Sequence, residues 1–485
     1  MKIIAKSYFR VFSKSCSFNK VLIPSKRLFS MCSSNELDNT WSVPEGVRGS
    51  QVLDTSKFNK KATLPVIEIE AKYINAVRSK AGVDSYLLKN LGKIKNFISS
   101  AEDNKKKVLI FDPETFKSDT DAAKNEISMK LKSVISDAEL KWSSMTFDIT
   151  FDDWDIRRII KAVLPDNLDF SSFTQTGHII HCNFRDELSP YKKILGEILL
   201  KKVKNCRTVV NKIDGITSEF RNFQIELVAG EPDYVADVLE GGCRFKLDFS
   251  KVFWNSRLSY EHDRVRKYFD SRSLIFDACA GVGPFVIPIV KKLHARTVVA
   301  NDLNPESVRW LKESMKMNKI LSSEIDVHNM DAFDFIKGPF ANELIKAMKQ
   351  MKSDPELTPA SGAHILMNLP AFAINFLPAF KGILHGKLED SDIPEEMFPI
   401  TIYCYLFVKA HEEVPDEYFP DMARKYVLEK LNYPEANIKV IHHIRTVSSR
   451  KEMFCVQVET PLEFLRMKPD EKDEPEAKRA KLEDE

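Results

Sequence analysis

FDACAGVGPF, residues 276–285, decides the fold of this chain. It completes an apolar run, residues 273–278, that reads as a buried strand, and it then turns on Gly281 and Gly283. Glycine lacks a Cβ, so the backbone there can bend sharply and approach a ligand closely. Two later segments fit it. NDLNP, residues 301–305, follows a strand at 297–300 and places Asp302 25 residues after Asp277. That spacing suits a carboxylate gripping the ribose of a nucleoside bound at the strand ends of a doubly wound sheet. ILMNLP, residues 365–370, is another strand and ends on a polar side chain, Asn368, before a proline. Together they describe an α/β nucleoside-cofactor domain with a polar group facing the substrate.

A G-x-G by itself recurs in many tight turns, so the order of the three segments carries the argument. The first lacks the third glycine of a dinucleotide fingerprint. It also has Pro284 where a pyrophosphate loop needs a backbone donor, although proline can open the following helix. A loop that forgoes phosphate but keeps a ribose acid points to S-adenosylmethionine rather than NAD or ATP.

At 485 residues the chain should hold two to four domains with ample core. It is 43% hydrophobic and 29% charged, hence globular. Its net charge is only +2, so any nucleic-acid contact must come from local basic surface. Eight cysteines are scattered with no C-x-x-C pair, which argues for reduced thiols and against a zinc ribbon. No apolar run is long enough to span a membrane.

Both termini depart from the body. Residues 1–35 carry seven Lys or Arg and no Asp or Glu. MKIIAKSYFRVFSKS can form a basic amphipathic helix, the composition of a mitochondrial transit peptide; the alternative is a disordered basic tail. Met31 could start a form lacking this segment. Residues 466–485 read as a disordered charged tail in which PEAKRAKLED, residues 475–484, resembles a short nuclear import signal or is simply solvated charge.

Between the tails, residues 42–112 offer a strand at 64–69 and a helix at 73–81, and a charged, helical link follows at 114–141. Over 113–250 helices are expected at 154–163 and 190–200 and a strand at 178–184. A strand at 223–229 is expected to return through Glu240-Gly241-Gly242 as 243–248. Residues 251–465 form the cofactor domain, closed by a helix at 418–431 and strands at 438–444 and 453–459. His178, His181 and Cys182 suggest metal ligands, but 178 and 181 point to opposite faces of a strand. Ordinary strand histidines are expected there, and no metal.

KVFWNSRLSYEHDRVRKYF, residues 251–269, puts Asn255, Arg257, Glu261 and His262 at the start of a helix feeding the first core strand. Arg257 and Glu261 are four apart and share a helical face. An exposed ion pair is the plain reading, but a helix start beside the glycine strand lies near the substrate opening.

With HIIHCNFRDELSPYKKILGEILL, ELVAGEPD, FKLDFSKVFWNSRLSYEH, FDACAGVGPF, NDLNP and MNLP in this order, the chain resembles the eukaryotic and archaeal Trm5 tRNA (guanine(37)-N1)-methyltransferases. The match covers roughly residues 150–460, and more loosely 45–110. This chain has Asn-Ser before Arg257 where many relatives have Ser-Pro or Asn-Pro, and DACAG in place of DMFAG. The resemblance implies an N-terminal domain reading the tRNA's outer corner, a middle domain, and a class I, Rossmann-like methyltransferase domain acting as a monomer. It also implies roles. Neutral guanine N1 carries a proton, so attack on the sulfonium methyl needs a general base, and charge developing toward O6 needs a donor. Glu261 is then the base, Arg221 stabilises O6, and Asn368 holds the guanine or the methionine end of S-adenosylmethionine. Asp302 holds the ribose, Leu303 packs on adenine, Asp331 and Ala332 recognise adenine, and His262 approaches the methionine carboxylate. The alternatives are the related wybutosine-pathway aminocarboxypropyl transferase, an amino-group methylase of rRNA or DNA, and a non-catalytic tRNA-binding protein. The first should lack the glutamate and the intact NLP, and the second carries an N-P-P-Y-like motif.

Overall fold

The computed structural model describes residues 43–89, 91–92, 94–101, 103–116, 120–135, 140–213, 224–354, 356–411 and 415–469. Its contacts divide into two compact units, one containing Lys61–Lys89 and Lys95–Phe147, the other Val43–Lys60, Asn90–Ile94 and the chain from Asp148 onward. The first holds β1 (Lys60–Glu70), α1 (Ile74–Lys80), β2 (Phe97–Ser99), β3 (Lys106–Ile110), α2 (Thr120–Lys132) and β4 (Trp142–Ile149). Its sheet runs β2-β3-β1-β4. Alternate residues of β1 are buried, the period-two pattern of a half-covered strand. α2 lays Ile127 and Leu131 on Ile67, Ile69, Leu109 and Phe111. A boundary at 112 would have cut this core. The segment after it supplies β4, which joins the same sheet, and α2, which covers it.

The second unit begins with α3 (Ile156–Val163), β5 (Phe173–Thr176), β6 (Ile179–Cys182), α4 (Lys192–Lys202), β7 (Thr208–Ile213) and β8 (Gln224–Gly230), a sheet ordered β5-β6-β7-β8. A hairpin of β9 (Val235–Glu240) and β10 (Cys243–Asp248) follows, turning on Gly241 and Gly242 at φ 57° and 76°. This corrects the expected pairing of 223–229 with 243–248. A two-residue turn joins only strands adjacent in sequence, so β10 takes β9, and β8 pairs with β7. His178 Nε2 lies 3.2 Å from the Asp233 carboxylate, and His181 stacks on Phe249. Among the described residues no group of three or more side chains could hold a metal ion.

The remaining elements are α5 (Ser259–Arg266), β11 (Leu274–Asp277), α6 (Val286–Leu293), β12 (Thr297–Asn301), α7 (Pro305–Met317), β13 (Asp326–His328), α8 (Ala332–Phe335), α9 (Ala341–Ser353), β14 (Ala363–Met367), β15 (Ile400–Lys409), α10 (Phe419–Leu431), β16 (Asn437–Ser448), β17 (Lys451–Glu459) and α11 (Leu462–Arg466). Seven strands form one sheet, β13-β12-β11-β14-β15-β17-β16. It is parallel from β13 to β15; β17 and β16 close it antiparallel, as the sequence suggested. The α/β, Rossmann-like class is the one expected. The chain leaves β11 toward β12 and β13, then crosses to β14 on the other side. That reversal opens a crevice at the carboxyl ends of β11 and β14, where ligands of such sheets bind.

Both faces of the sheet are covered. One core joins Phe276, Ile365 and Cys404 to α9 and α10. The other joins Ile275, Val298 and Tyr405 to Ile179, Val210, Ala236 and Phe245. The second core runs through the supposed boundary at 250, so residues from Asp148 onward pack as one body.

Candidate active site

The glycine loop after β11 is shaped as its composition requires. Gly281 and Gly283 sit at φ 55° and 89°, and a Cβ on Gly283 would collide with Leu311 Cδ1. Around Gly281 a Cβ would meet nothing, so this side of the loop faces open space. The Gly281 amide donates to Asp302 Oδ2 at 2.7 Å, and the Asn304 amide to Oδ1 at 2.9 Å. Burial pushes the Asp302 pKa up, while these amides and Ser307 pull it back. A carboxylate has about four acceptor positions, so Asp302 keeps capacity for a ribose hydroxyl beyond its two amides and Ser307. Leu303 beside it is 39% exposed, an apolar surface suited to a base.

Asn301, which the sequence reading passed over, ties the site together. Its Nδ2 donates to the carbonyls of Ala278 and Met330, and its Oδ1 accepts from the Met330 amide, joining the loops after β11 and β13 from the end of β12. Asn329 donates to the carbonyls of Asp302 and Leu303. Asp331 caps α8 through the Phe333 amide at 2.8 Å. The Ala332 side chain, 5% exposed, belongs to the core and offers nothing to a ligand.

Two buried oxygens at the crevice lack hydrogen-bond partners, Asp277 Oδ2 and Asn368 Oδ1. Unpaired polar atoms at adjacent strand ends mark a place where a ligand supplies the partners. Burial first, and then the Asp302 charge, push the Asp277 pKa up to about 8 against the pull of the Cys279 amide. Burial likewise raises the Cys279 thiol well above its ordinary value, which leaves it unreactive. The residues fit S-adenosylmethionine: Asp302 for the ribose, Leu303 and the loop at Asp331 for adenine, Asp277 and Asn368 for the methionine end.

Glu261 lies on α5 and is 2% exposed. Arg264 donates to it twice, Nε to Oε2 at 2.6 Å and Nη2 to Oε1 at 2.7 Å, and the Tyr405 hydroxyl donates to Oε1 at 2.9 Å. His442 Nε2 stands 3.8 Å from Oε2. Arg257, expected to share a helical face with Glu261, instead reaches Thr174 Oγ1. β14 and β15 are in register through Met367 and Cys404, so Asn368 comes level with Tyr405. Tyr405, which holds the glutamate, thus stands beside the NLP asparagine at the end of β14. Neither Arg264 nor Tyr405 was foreseen. Arg264 stands one turn after Glu261 and was legible as an i,i+3 partner, whereas Tyr405 lies 144 positions away.

His262 is held on one side by a carboxylate. Its Nδ1 is 2.6 Å from Glu240 Oε1, both side chains 9% exposed, and its ring meets Phe285 edge-on. Only Nε2 remains to meet a carboxylate. Arg221 lies outside the described residues.

Arg257, four residues before Glu261, is the centre of a group of cations. Burial and the charge of Arg257 push Lys212 down to about 8; burial, then Lys212 and Arg257, hold His181 at about 3; burial and Arg257 lower Arg445. The charge of Arg257 thus acts on Lys212, His181 and Arg445 alike, which gathers positive charge around it, an arrangement suited to an anion.

Comparison with known proteins agrees with this geometry. Residues 237–354 match the family model of the TRM5/TYW2 methyltransferase domain, and residues 156–233 that of the TYW2 N-terminal domain. The chain is 46% identical to a tRNA (guanine(37)-N(1))-methyltransferase of Caenorhabditis elegans over 93% of its own length and 95% of the relative's. It is 34% identical to one of Homo sapiens over 88% and 79%. Among solved structures it resembles wild-type Trm5b from Pyrococcus abyssi (TM-score 0.52, 21% identity, 82% and 99% covered) and an aTrm5 described in complex with tRNALeu (0.54, 22%, 82% and 99%), likenesses of fold. With identity of this extent over nearly the whole chain, on a crevice built for an adenosyl cofactor, the protein belongs to the Trm5 family of tRNA (guanine(37)-N(1))-methyltransferases.

Proposed function

We propose that this protein transfers a methyl group from S-adenosylmethionine to N1 of guanine 37 in tRNA, with Glu261 as the general base. The observation that carries the assignment of the base is a buried carboxylate fixed by three donors, one of them Tyr405 beside the NLP asparagine. S-adenosylmethionine supplies an electrophilic methyl on its sulfonium. The chain's own residues do the rest. Asp302 and the glycine loop hold the nucleoside, Asn368 Oδ1 accepts from the target base or the amino acid end, and Glu261 takes the N1 proton as N1 becomes nucleophilic. Arg221 is proposed to stabilise charge on O6. The positive charge around Arg257 suits the phosphates flanking the guanine. The related aminocarboxypropyl transfer would not require a base at N1, and Glu261 and the NLP segment favour methylation.

We further propose that the enzyme acts as a monomer and serves mitochondrial as well as cytoplasmic and nuclear tRNA. Residues 1–35 and 475–484 would be the two addresses; both lie outside the described residues. A fluorescent fusion of residues 1–35 that stays diffuse and uncleaved would remove the first.

The activity is tested with labelled S-adenosylmethionine and tRNA transcripts bearing G or A at position 37. Methylation of the G transcript alone is expected. Glu261→Gln should keep cofactor affinity and lose most turnover, with partial recovery as pH rises and N1 deprotonates unaided. Full turnover of Glu261→Gln at neutral pH would remove Glu261 as the base.

A further inference from the structure

A base that takes a proton each turnover must also lose it, and the surroundings of Glu261 leave one route. A carboxylate offers about four lone-pair directions. Arg264 Nη2 and Tyr405 occupy both on Oε1, and Arg264 Nε occupies one on Oε2. The fourth, on Oε2, carries no hydrogen bond among the described residues, and His442 Nε2 stands 3.8 Å from that oxygen. Arg264 carries its proton permanently, and the Tyr405 phenol is buried and pushed well above its ordinary value, so neither can receive one. His442 is 34% exposed and has a path to water.

We propose that His442 relays the guanine N1 proton from Glu261 to solvent. The proposal rests on Glu261 being the base. In one turnover the open position on Oε2 is used twice. As N1 bonds to the methyl carbon, the C–S electron pair stays on sulfur and the N1 proton moves to Oε2. Methylated N1 has no hydrogen left to donate, so it releases that position. The proton then passes to the Nε2 lone pair of neutral His442, directly or through one water, and the imidazolium gives it to bulk water. The neutral ring carries its own hydrogen on Nδ1.

The placement of His442 in the sheet supports this. β16 and β17 align His442 with Cys455, on the face that packs toward Tyr405 and α5. The next residue, His443, turns to the other face and pairs with Glu452 at 2.6 Å. The charges that act on His442 are Arg264 and His443, which with burial lower its pKa, and Glu261, which raises it. A ring kept neutral at physiological pH is ready to accept and quick to release.

The test compares His442→Ala, His442→Gln and His443→Ala under saturating tRNA and cofactor. Both His442 variants should lose about tenfold or more in kcat with little change in KM, and imidazole in the buffer should restore His442→Ala in proportion to its free-base concentration. His443→Ala should behave as wild type. Independently of turnover, the NMR titration of the His442 ring should shift to lower pH in Glu261→Gln, because the charge that raises its pKa is gone. Wild-type kcat in His442→Ala, a loss that imidazole does not repair, or an unmoved titration would each overturn the relay. If Glu261→Gln stalls while His442→Ala runs normally, the base stands and the relay falls. If Glu261→Gln itself runs normally, the base assignment has failed.

Discussion

Replacing Arg264 by methionine isolates the arrangement on which the reaction depends. The Glu261 carboxylate is 2% exposed and the Arg264 side chain 12% exposed, and they are joined by two hydrogen bonds of 2.6 and 2.7 Å. Methionine preserves most of the apolar stem but strands a buried negative charge that keeps only Tyr405 as donor. Removing one partner of a buried ion pair typically costs about 3–5 kcal/mol, far more than the net worth of the intact pair. For a unit of about 350 residues with about 2.1 cal/mol/K per residue, that corresponds to a fall in Tm of about 4–7 °C. Scanning calorimetry of the apo-protein measures it. The double variant Arg264→Met/Glu261→Gln has no charge to strand and should regain most of the loss, a coupling of about 2 kcal/mol or more. A single-variant loss below about 1 kcal/mol, or additive effects in the double variant, would show that the carboxylate finds compensation elsewhere and that Arg264 is not what holds it.

Two further outcomes follow from the crevice. Asp277 titrates at about 8 in the folded chain, above its unfolded value, so its contribution to stability is whole in acid and is lost as pH rises toward 8. Asp277→Asn lacks that loss, and its unfolding free energy relative to wild type should climb between pH 6 and 8, by at most about 1.4 kcal/mol per pH unit; a pH-independent difference would sink the assignment. Asp302→Ala should weaken S-adenosylmethionine binding in calorimetry at least tenfold, through the lost charge-assisted ribose contact and the freed Gly281 amide, while tRNA affinity changes little. Wild-type cofactor affinity in that variant would exclude Asp302 as the ribose ligand.

The sequence by itself determined the cofactor half of the site. Glycine at 281 and 283, an acid after the next strand and an asparagine before Pro370 are local signals, because the conformations and strand ends they report are set by neighbours in the chain. β11, β12 and β14 were therefore placed within a residue or two. β15 escaped notice although it is the sheet's most deeply buried long strand, ITIYCYLFVK. A strand covered on both faces is apolar throughout and has no alternation to read. The short strands β5 and β7 and the true partner of β10 were missed because pairing depends on which turn closes which strand. The unit boundaries moved from 112 and 250 for a related reason: cores are shared between segments by packing, which composition does not record.

Only the tertiary structure decided the chemistry around Glu261. The side chain was legible as a candidate, yet its environment is assembled from α5, β15 and β16, elements up to 181 positions apart in sequence. His262 shows the converse. Its place beside the glycine loop was foreseen, but Glu240, 22 residues upstream on β9, holds one of its nitrogens. A buried carboxylate takes its properties from the donors around it, and those donors come from wherever the fold brings polar atoms together.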